Sequence, residues 1–113
     1  RKPTFLYLNS QNSYAVAVDV RASRTFVMFT DSIGNQISDI SSFSTEPEPI
    51  KFVKILSEHI KKNIPLNFGS AECGGIGIVV PGMTDIKTGR VLRAPALGWL
   101  DVDLLGLLHK ELG

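Results

Sequence analysis

An apolar run from Gly75 to Val80, followed at once by Pro81 and Gly82, constrains the fold of this chain more than any other feature. Nearly every residue in the run is apolar, which predicts a strand buried on both faces, as at the centre of an α/β sheet. A glycine at the carboxyl end of such a strand lets backbone approach a ligand without a Cβ in the way, and small molecules commonly bind at that edge. The sequence therefore predicts a central strand at 75–80 with a candidate ligand site directly after it.

Further strands are predicted before the central one. Residues 14–20 alternate in polarity, with Val16 on one side and Ala17 on the other, which is the period of a strand. Residues 25–30 are rich in aromatic and β-branched side chains, and the more polar residues 36–43 suit the edge of a sheet.

Two amphipathic helices complete the predicted elements. The first begins near a capping box at 45–48 and ends before Pro65. Its apolar residues recur at helical spacing, and the predicted core stripe is Ile50, Val53, Leu56, Ile60 and Ile64. The second covers 102–112 and is capped by Asp101. The resulting order, β-β-β-α-β-α with a mixed sheet, places the chain in the α/β class.

Composition fits one small domain and excludes several classes of function. The chain has 113 residues, 43% of them hydrophobic, and a formal net charge of +1, so the segment does not itself carry a strong field for nucleic acid. Cys73 is the only cysteine, which excludes an internal disulfide and suits a reducing compartment. No apolar run approaches the length of a membrane span, and no signal-peptide pattern opens the chain. We therefore expect a cytoplasmic protein with no membrane partner.

The order of motifs after the central strand resembles the sugar-site segment of the ROK family (repressors, open reading frames and kinases). These motifs are Pro81-Gly82, Asp85, Thr88-Gly89, Ala94-Pro95 and Gly98-Trp99. The resemblance implies the actin-like ATPase (ribonuclease H-like) fold, of which this chain would form a half-domain. It also implies that Gly82 lies against a sugar and that Pro95 and Ala96 flank the sugar hydroxyls. Many kinases of the family have Asn where this chain has Ala96, and alanine cannot make that hydrogen bond. Asp85 is predicted to form a turn.

A second part of the resemblance concerns the hairpin that cradles nucleotide phosphates in the kinases of the family. There the sequence reads roughly Asp-Ile-Gly-Gly-Thr-Lys, whereas this chain has Asp19-Val20-Arg21-Ala22-Ser23-Arg24. Arg21 and Ala22 replace both glycines, and a Cβ at each position restricts close approach of phosphate to the backbone. Asp19, Arg21, Ala22 and Ser23 are therefore predicted to form a degenerate phosphate loop. Regulators of the family typically carry such loops.

The amino terminus resembles the connector that follows the winged helix-turn-helix in repressors of the family. Residues 1–13 are accordingly predicted to connect an upstream DNA-binding domain, absent here, to residues 14–113, a truncated amino-terminal lobe of the sugar-sensing domain. A generic basic, frayed terminus is the alternative. The family's Asn-Asp motif and zinc-binding Cys/His cluster are expected to follow residue 113. Because the central strand would then lack its outer neighbour, we expect self-association or strand exchange.

Two functions remain open at this point. The first is a non-catalytic sensory domain of a bacterial ROK-type transcriptional repressor, which responds to a sugar or sugar phosphate and reaches DNA through its upstream domain. The second is the amino-terminal lobe of an ATP-dependent sugar kinase. We expect the former, with no enzymatic activity and no cofactor. His59 and His109 lack partners at ligand spacing, so no metal site is expected. Trp99 is interpreted as an apolar anchor rather than a surface for a sugar ring.

Overall fold

The computed structural model describes residues 4–9, 14–31, 34–63 and 73–112. Their elements in chain order are β1 (Thr4–Asn9), β2 (Tyr14–Val20), β3 (Arg24–Asp31), β4 (Ser41–Ser44), α1 (Pro49–Lys62), β5 (Cys73–Val80), β6 (Met83–Asp85), β7 (Arg90–Ala94), a 3₁₀ helix (Pro95–Leu97), β8 (Trp99–Val102) and α2 (Leu104–Leu112). The predicted strands at 14–20, 25–30 and 75–80 and both predicted helices are present, whereas β1 and the strands β6 to β8 were not predicted.

A mixed sheet of five strands forms the body of the structure, in the order β1-β5-β2-β3-β4. Strands β2 and β5 are parallel, and every other pair is antiparallel. The alternation of β2 determines its two faces, because Val18 lies opposite Val27 of β3 and Ile78 of β5. All three of these side chains are buried.

Helices α1 and α2 cover that face and close the core. Phe52, Val53, Leu56 and Ile60 of α1 are buried in one cluster with the β2, β3 and β5 side chains, and so are Leu104 and Leu108 of α2. Burial of these apolar side chains is the main favourable term in folding. The opposite face of the sheet is apolar but only half-covered, and Ala17, Met28 and Val79 line an open cavity of about 490 Å³ there.

The start of α1 differs from the predicted capping box. Glu48, and not Thr45, is the N-cap, since its carboxylate accepts hydrogen bonds from the backbone N–H groups of Ile50 (2.9 Å) and Lys51 (3.4 Å). Ile50 is 53% exposed and does not belong to the core stripe, whereas the neighbouring Phe52 is fully buried. Both residues lie in the first turn of α1, and the helical phase that buries Phe52 places Ile50 at the border of the buried face. Ile64, also placed in the stripe, lies outside the described residues.

The cap of α2 was also predicted two residues too early. The helix begins at Leu104, and Asp103 caps it by accepting from the N–H of Gly106 at 3.2 Å. Asp101 lies in β8 with a positive φ of 50° and pairs with Arg90 at 2.9 Å. The strand pairing of Val102 with Val91 keeps residues 101 and 102 in the sheet and delays the helix.

The predicted strand at 36–43 is shorter than expected, since only Ser41–Ser44 pairs with β3 as a strand. Upstream of it, the Oγ of Ser38 accepts from the N–H of Phe29 at 2.9 Å, in the place where a ladder would use a backbone carbonyl. Gln36 forms only an isolated bridge with Thr30. Serine side chains compete with the backbone in this way, and the polar composition that suggested an edge strand also interrupts it.

Strand β1 changes the expectation for the edge of the sheet. It lies antiparallel to β5 along its whole length, so β5 is flanked by β1 on one side and by β2 on the other. The premise that the central strand lacks an outer neighbour is therefore wrong, and strand exchange through a bare β5 edge no longer follows. Residues 4–9, which were expected to act as a connector, form a strand of the sheet; their role as a connector stays a prediction.

Candidate functional site

Both predicted sites lie on one edge of the large sheet. Because β2 and β5 are parallel neighbours, with Asp19 opposite Val79, their carboxyl ends meet at the same edge. The turn at 21–23 follows β2, and Pro81-Gly82 follows β5. The structure thus places the predicted phosphate loop beside the start of the predicted sugar segment, at the edge where α/β sheets bind ligands.

Gly82 and the 3₁₀ helix form the corner of this edge. Gly82 is buried, and a Cβ there would overlap the carbonyl oxygen of Arg93 and lie 2.8 Å from the Cα of Ala94. Pro95 and Ala96 follow directly and are exposed. The structure therefore places Gly82 against Ala94, the residue that precedes Pro95 and Ala96; their role as a sugar site stays a prediction. It also shows that Gly82 is needed by the packing of β7 itself.

A buried hydroxyl lies close to this corner in the sequence. The Oγ1 of Thr84, in β6, is shielded from solvent and has no hydrogen-bond partner within the described ranges. An unsatisfied buried hydroxyl costs free energy, and in native proteins such a group calls for an explanation, such as a bound water, an ion or a functional role. Sequence analysis did not single out Thr84, because the burial of its side chain depends on the pairing of β6 with β7.

The turn between β6 and β7 supports the predicted role of Asp85. The carboxylate of Asp85 accepts from the N–H of Lys87 at 3.0 Å, and its backbone carbonyl accepts from the N–H of Gly89 at 2.8 Å. Gly89 has a φ of +73°, the left-handed region that glycine adopts without strain. Asp85 is confirmed as a turn residue.

The hairpin turn between β2 and β3 is held by an internal ion pair. The guanidinium of Arg21 contacts the Oδ2 of Asp19 through Nε at 3.0 Å and through Nη2 at 2.9 Å. The same guanidinium lies 5.0 Å from the centre of the Phe26 ring, within the range of a cation–π contact. Both charged side chains are well exposed, at 65% for Arg21 and 40% for Asp19, so the pair adds little to stability. The consequence of the pair is local, because the Asp19 carboxylate is already neutralised by the guanidinium of Arg21.

Thr45, which follows the edge strand β4, anchors the same turn. Its Oγ1 donates to the carbonyl of Arg21 at 2.7 Å, and its N–H donates to the carbonyl of Ser23 at 3.1 Å. Two carbonyls of the turn are thereby fixed on the segment between β4 and α1. Sequence analysis missed this contact because residues 21 and 45 meet only through the pairing of β3 with β4.

Trp99 is an anchor, as expected. Its side chain is 2% exposed, its Nε1–H donates to the carbonyl of Pro47 at 2.9 Å, and its ring meets Phe52 edge-on at a centroid distance of 5.2 Å. This contact ties the corner to the start of α1. A ring enclosed in this way does not present a face to a sugar.

Histidines and carboxylates do not gather into a metal-binding group anywhere in the described ranges. His59 instead joins α1 to β4, through a 2.7 Å hydrogen bond between its Nε2 and the Oγ of Ser41 and a ring contact with Phe43 at 5.0 Å. Burial, and secondly the charge of Lys62, lower the pKa of His59 below its ordinary value. In the part of the chain that the structure describes, no helix combines the length and apolarity needed to cross a membrane.

Two curated proteins match over essentially the whole chain. A protein described as a xylose repressor from Caldicellulosiruptor sp. is 30% identical over 118 residues, covering 100% of this chain and 29% of that protein. A xylose repressor from Caldicellulosiruptor bescii is 24% identical over 113 residues, covering 98% of this chain and 28% of that protein. The chain therefore spans less than a third of the length of these relatives. No protein-family model matches it.

Two solved sugar kinases have a backbone similar to this chain. A ROK family glucokinase from Streptomyces griseus, in complex with glucose and AMPPNP, matches with a TM-score of 0.74 and 20% identity, over 89% of this chain and 31% of that one. An inorganic polyphosphate/ATP-glucomannokinase from Arthrobacter sp. matches with a TM-score of 0.69 and 18% identity, over 90% and 42%. These likenesses establish the fold, and they confirm the predicted actin-like ATPase α/β architecture.

Proposed function

The chain belongs to the ROK family, and we propose that it is the amino-terminal lobe of the sugar-sensing domain of a transcriptional repressor, without catalytic activity of its own. The sequence comparison supports this proposal, because both curated relatives are named as repressors and match essentially the whole chain. The observation that carries the proposal is the ion pair between Arg21 and Asp19 in the degenerate phosphate loop.

Phosphoryl transfer depends on holding phosphates and their metal ions with positioned backbone amides, cations and carboxylates. In this hairpin, Asp19 is neutralised by Arg21 at 2.9 Å, and Arg21 itself is held over Phe26. A carboxylate paired in this way is a poor ligand for a metal-bound nucleotide, since binding would first have to break the pair. Arg21 and Ala22 also place Cβ atoms where the kinases of the family have glycine. The hairpin thus supports a regulator that does not bind nucleotide productively.

The proposed effector site is the corner formed by Gly82, Pro95 and Ala96. Pro95 and Ala96 are exposed at the carboxyl edge of the sheet, which suits a ligand held between this lobe and another part of the protein. The names of the curated relatives make xylose the first effector to test; a phosphorylated sugar is the alternative. Ala96 offers no side-chain hydrogen bond, so neighbouring groups would have to supply the polar contacts.

We further propose that DNA is bound by a domain upstream of residues 1–13 and that the protein acts in the cytoplasm of a bacterium. The near-neutral charge of this chain supports this division of labour, because phosphate contacts dominate the affinity for DNA and this segment has a formal net charge of +1.

The alternative function is the amino-terminal lobe of a sugar kinase, and the backbone match to the Streptomyces griseus glucokinase favours it. It requires that the loop with Arg21 and Ala22 still accept nucleotide. Assays of a single protein preparation can distinguish the two candidate functions.

The test uses the longest polypeptide that contains this chain, assayed for ATP turnover with D-xylose, D-glucose and N-acetylhexosamines. We expect no turnover above background, either from the native protein or from an Arg21→Gly, Ala22→Gly variant that restores the glycines alone. D-xylose should nevertheless change the fluorescence of Trp99, the only tryptophan of this segment, because it follows the corner directly. Turnover by the native protein at ordinary kinase rates would establish the alternative. Binding of ATP without any sugar response would also count against the sensory domain.

A further inference from the structure

The chain enters the large sheet at the candidate effector corner. The register of β1 against β5 places Thr4 opposite Val80 and Asn9 opposite Gly75. Since β5 leads directly into Pro81-Gly82, the amino end of β1 lies at the corner, and β1 runs away from it. Thr4, the first residue that the structure describes, therefore lies beside the candidate site.

The Pro81-Gly82 turn is hydrogen-bonded to Val80, the residue that pairs with Thr4. The N–H of Gly82 donates to the carbonyl of Val80 at 2.9 Å, so the conformation of Pro81-Gly82 is set directly at Val80. Gly82 in turn packs against Arg93 and Ala94, the residues before Pro95. A continuous backbone path thus runs from the 3₁₀ helix through Gly82 and Val80 to the start of β1.

Strand β1 is also the less firmly held of the two neighbours of β5. Among the described strands it lies at the end of the order and pairs with β5 alone, whereas β2 lies between β5 and β3 and carries the buried side chains of Val16 and Val18. Edge strands with a single partner open at lower free energy than central strands. A small conformational change at the corner will therefore alter the hydrogen bonds between β1 and β5 before it alters those of β2.

We propose that β1 is the element that transmits the state of the effector corner to the segment preceding residue 4. Effector bound at Gly82, Pro95 and Ala96 stabilises the Pro81-Gly82 turn and with it the pairing of Thr4 with Val80; without effector, the start of β1 detaches more often. The chain upstream is thereby held against the sheet or released, an order–disorder change of a segment. This inference rests on the proposed sensory function and names the structural link on which that function depends.

The first experiment perturbs the corner without any ligand. Pro81→Gly removes the fixed φ of the turn, and Pro49→Gly makes the same substitution at the start of α1 as the matched control. Amide hydrogen exchange of the whole chain is measured for both variants and the native protein. We expect exchange in 4–9 to quicken several-fold in Pro81→Gly, with 14–20 changed far less, and no selective change in 4–9 for Pro49→Gly. Equal changes in β1 and β2, or none in β1, would overturn the inference.

The second experiment adds D-xylose to the same preparations. Slower exchange in 81–84 and 94–98 together with 4–9 is expected, and the effect on 4–9 should be smaller in Pro81→Gly. Protection of the corner without any response in 4–9 would refute transmission through β1 while leaving the effector site intact. Absence of protection at the corner would instead remove D-xylose as the effector, and the role of β1 would be decided by the first experiment alone.

Discussion

At position 82, packing against β7 requires a glycine, whether or not a ligand is bound. The space that a Cβ would occupy is filled by the carbonyl of Arg93 and the backbone of Ala94. The resemblance assigned this glycine to sugar contact, and the structure shows an additional role in packing the corner. The two roles are compatible, since a tightly packed corner presents its ligand groups in a fixed position.

Gly82→Ala is therefore expected to destabilise the fold by about 2 kcal/mol, within the usual range for overpacking a rigid site. The neighbours of the new Cβ are backbone atoms of a paired strand, which cannot rotate away. Denaturation by urea checks this value. Gly98→Ala is the control, because Gly98 has a φ of +71° but no atom near the added Cβ; it should cost about 1 kcal/mol, from backbone strain alone. A Gly82→Ala protein as stable as the native one would show that β7 can yield.

At the scale of elements, the contacts that join α1 to its surroundings involve polar atoms as well as core burial. The Nε1–H of Trp99 donates to the carbonyl of Pro47 just before the helix. In the last turn of α1, His59 is hydrogen-bonded to the Oγ of Ser41 in β4. These bonds fix the helix at both ends relative to the two sheets. The sequence predicted the helix, but not these partners, because each lies on another element.

The junction between α1 and β4 is expected to weaken in acid. Burial and the charge of Lys62 lower the pKa of His59, so the unfolded chain binds a proton more readily than the folded one below the ordinary value of 6.5. The stability that depends on neutral His59 is therefore complete above that value and is lost as the pH falls below it. Thermal unfolding between about pH 7.5 and 5 measures the loss.

His59→Gln supplies the comparison, since glutamine can keep a hydrogen bond to Ser41 but does not titrate. The variant should lose less stability than the native protein over the same pH range. Identical pH dependence in the two proteins would show that His59 does not couple to unfolding.

At the scale of the whole molecule, the position of β1 determines which strands form the edges of the large sheet. It covers the outer edge of β5 and leaves β1 and β4 as the edges of the sheet. The self-association predicted from a bare central strand thus loses its structural basis in the intact chain. Removing β1 would recreate that edge.

A chain that begins at residue 10 is accordingly expected to associate through β5, because an apolar strand with unpaired backbone recruits another strand. Sedimentation velocity over a range of concentrations should show larger species for this variant than for a chain that begins at residue 4. If both remain equally monomeric, β1 does not protect the edge of β5.

The sequence alone determined the parts of this protein that depend on local pattern. The apolar period identified β2, β3, β5 and the body of both helices, and the resemblance predicted that Arg21 and Ala22 stand in place of glycines. Motif order also placed Gly82, Pro95 and Ala96 in one predicted site.

Tertiary structure decided what depends on partners distant in sequence. Glu48 rather than Thr45 caps α1, because Thr45 is engaged with the turn at Arg21. The ion pair that neutralises Asp19 requires the geometry of the hairpin. The place of β1 at the corner requires the register of strands separated by most of the chain. Local propensity cannot specify such contacts, since their free energy exists only once the two segments have been brought together.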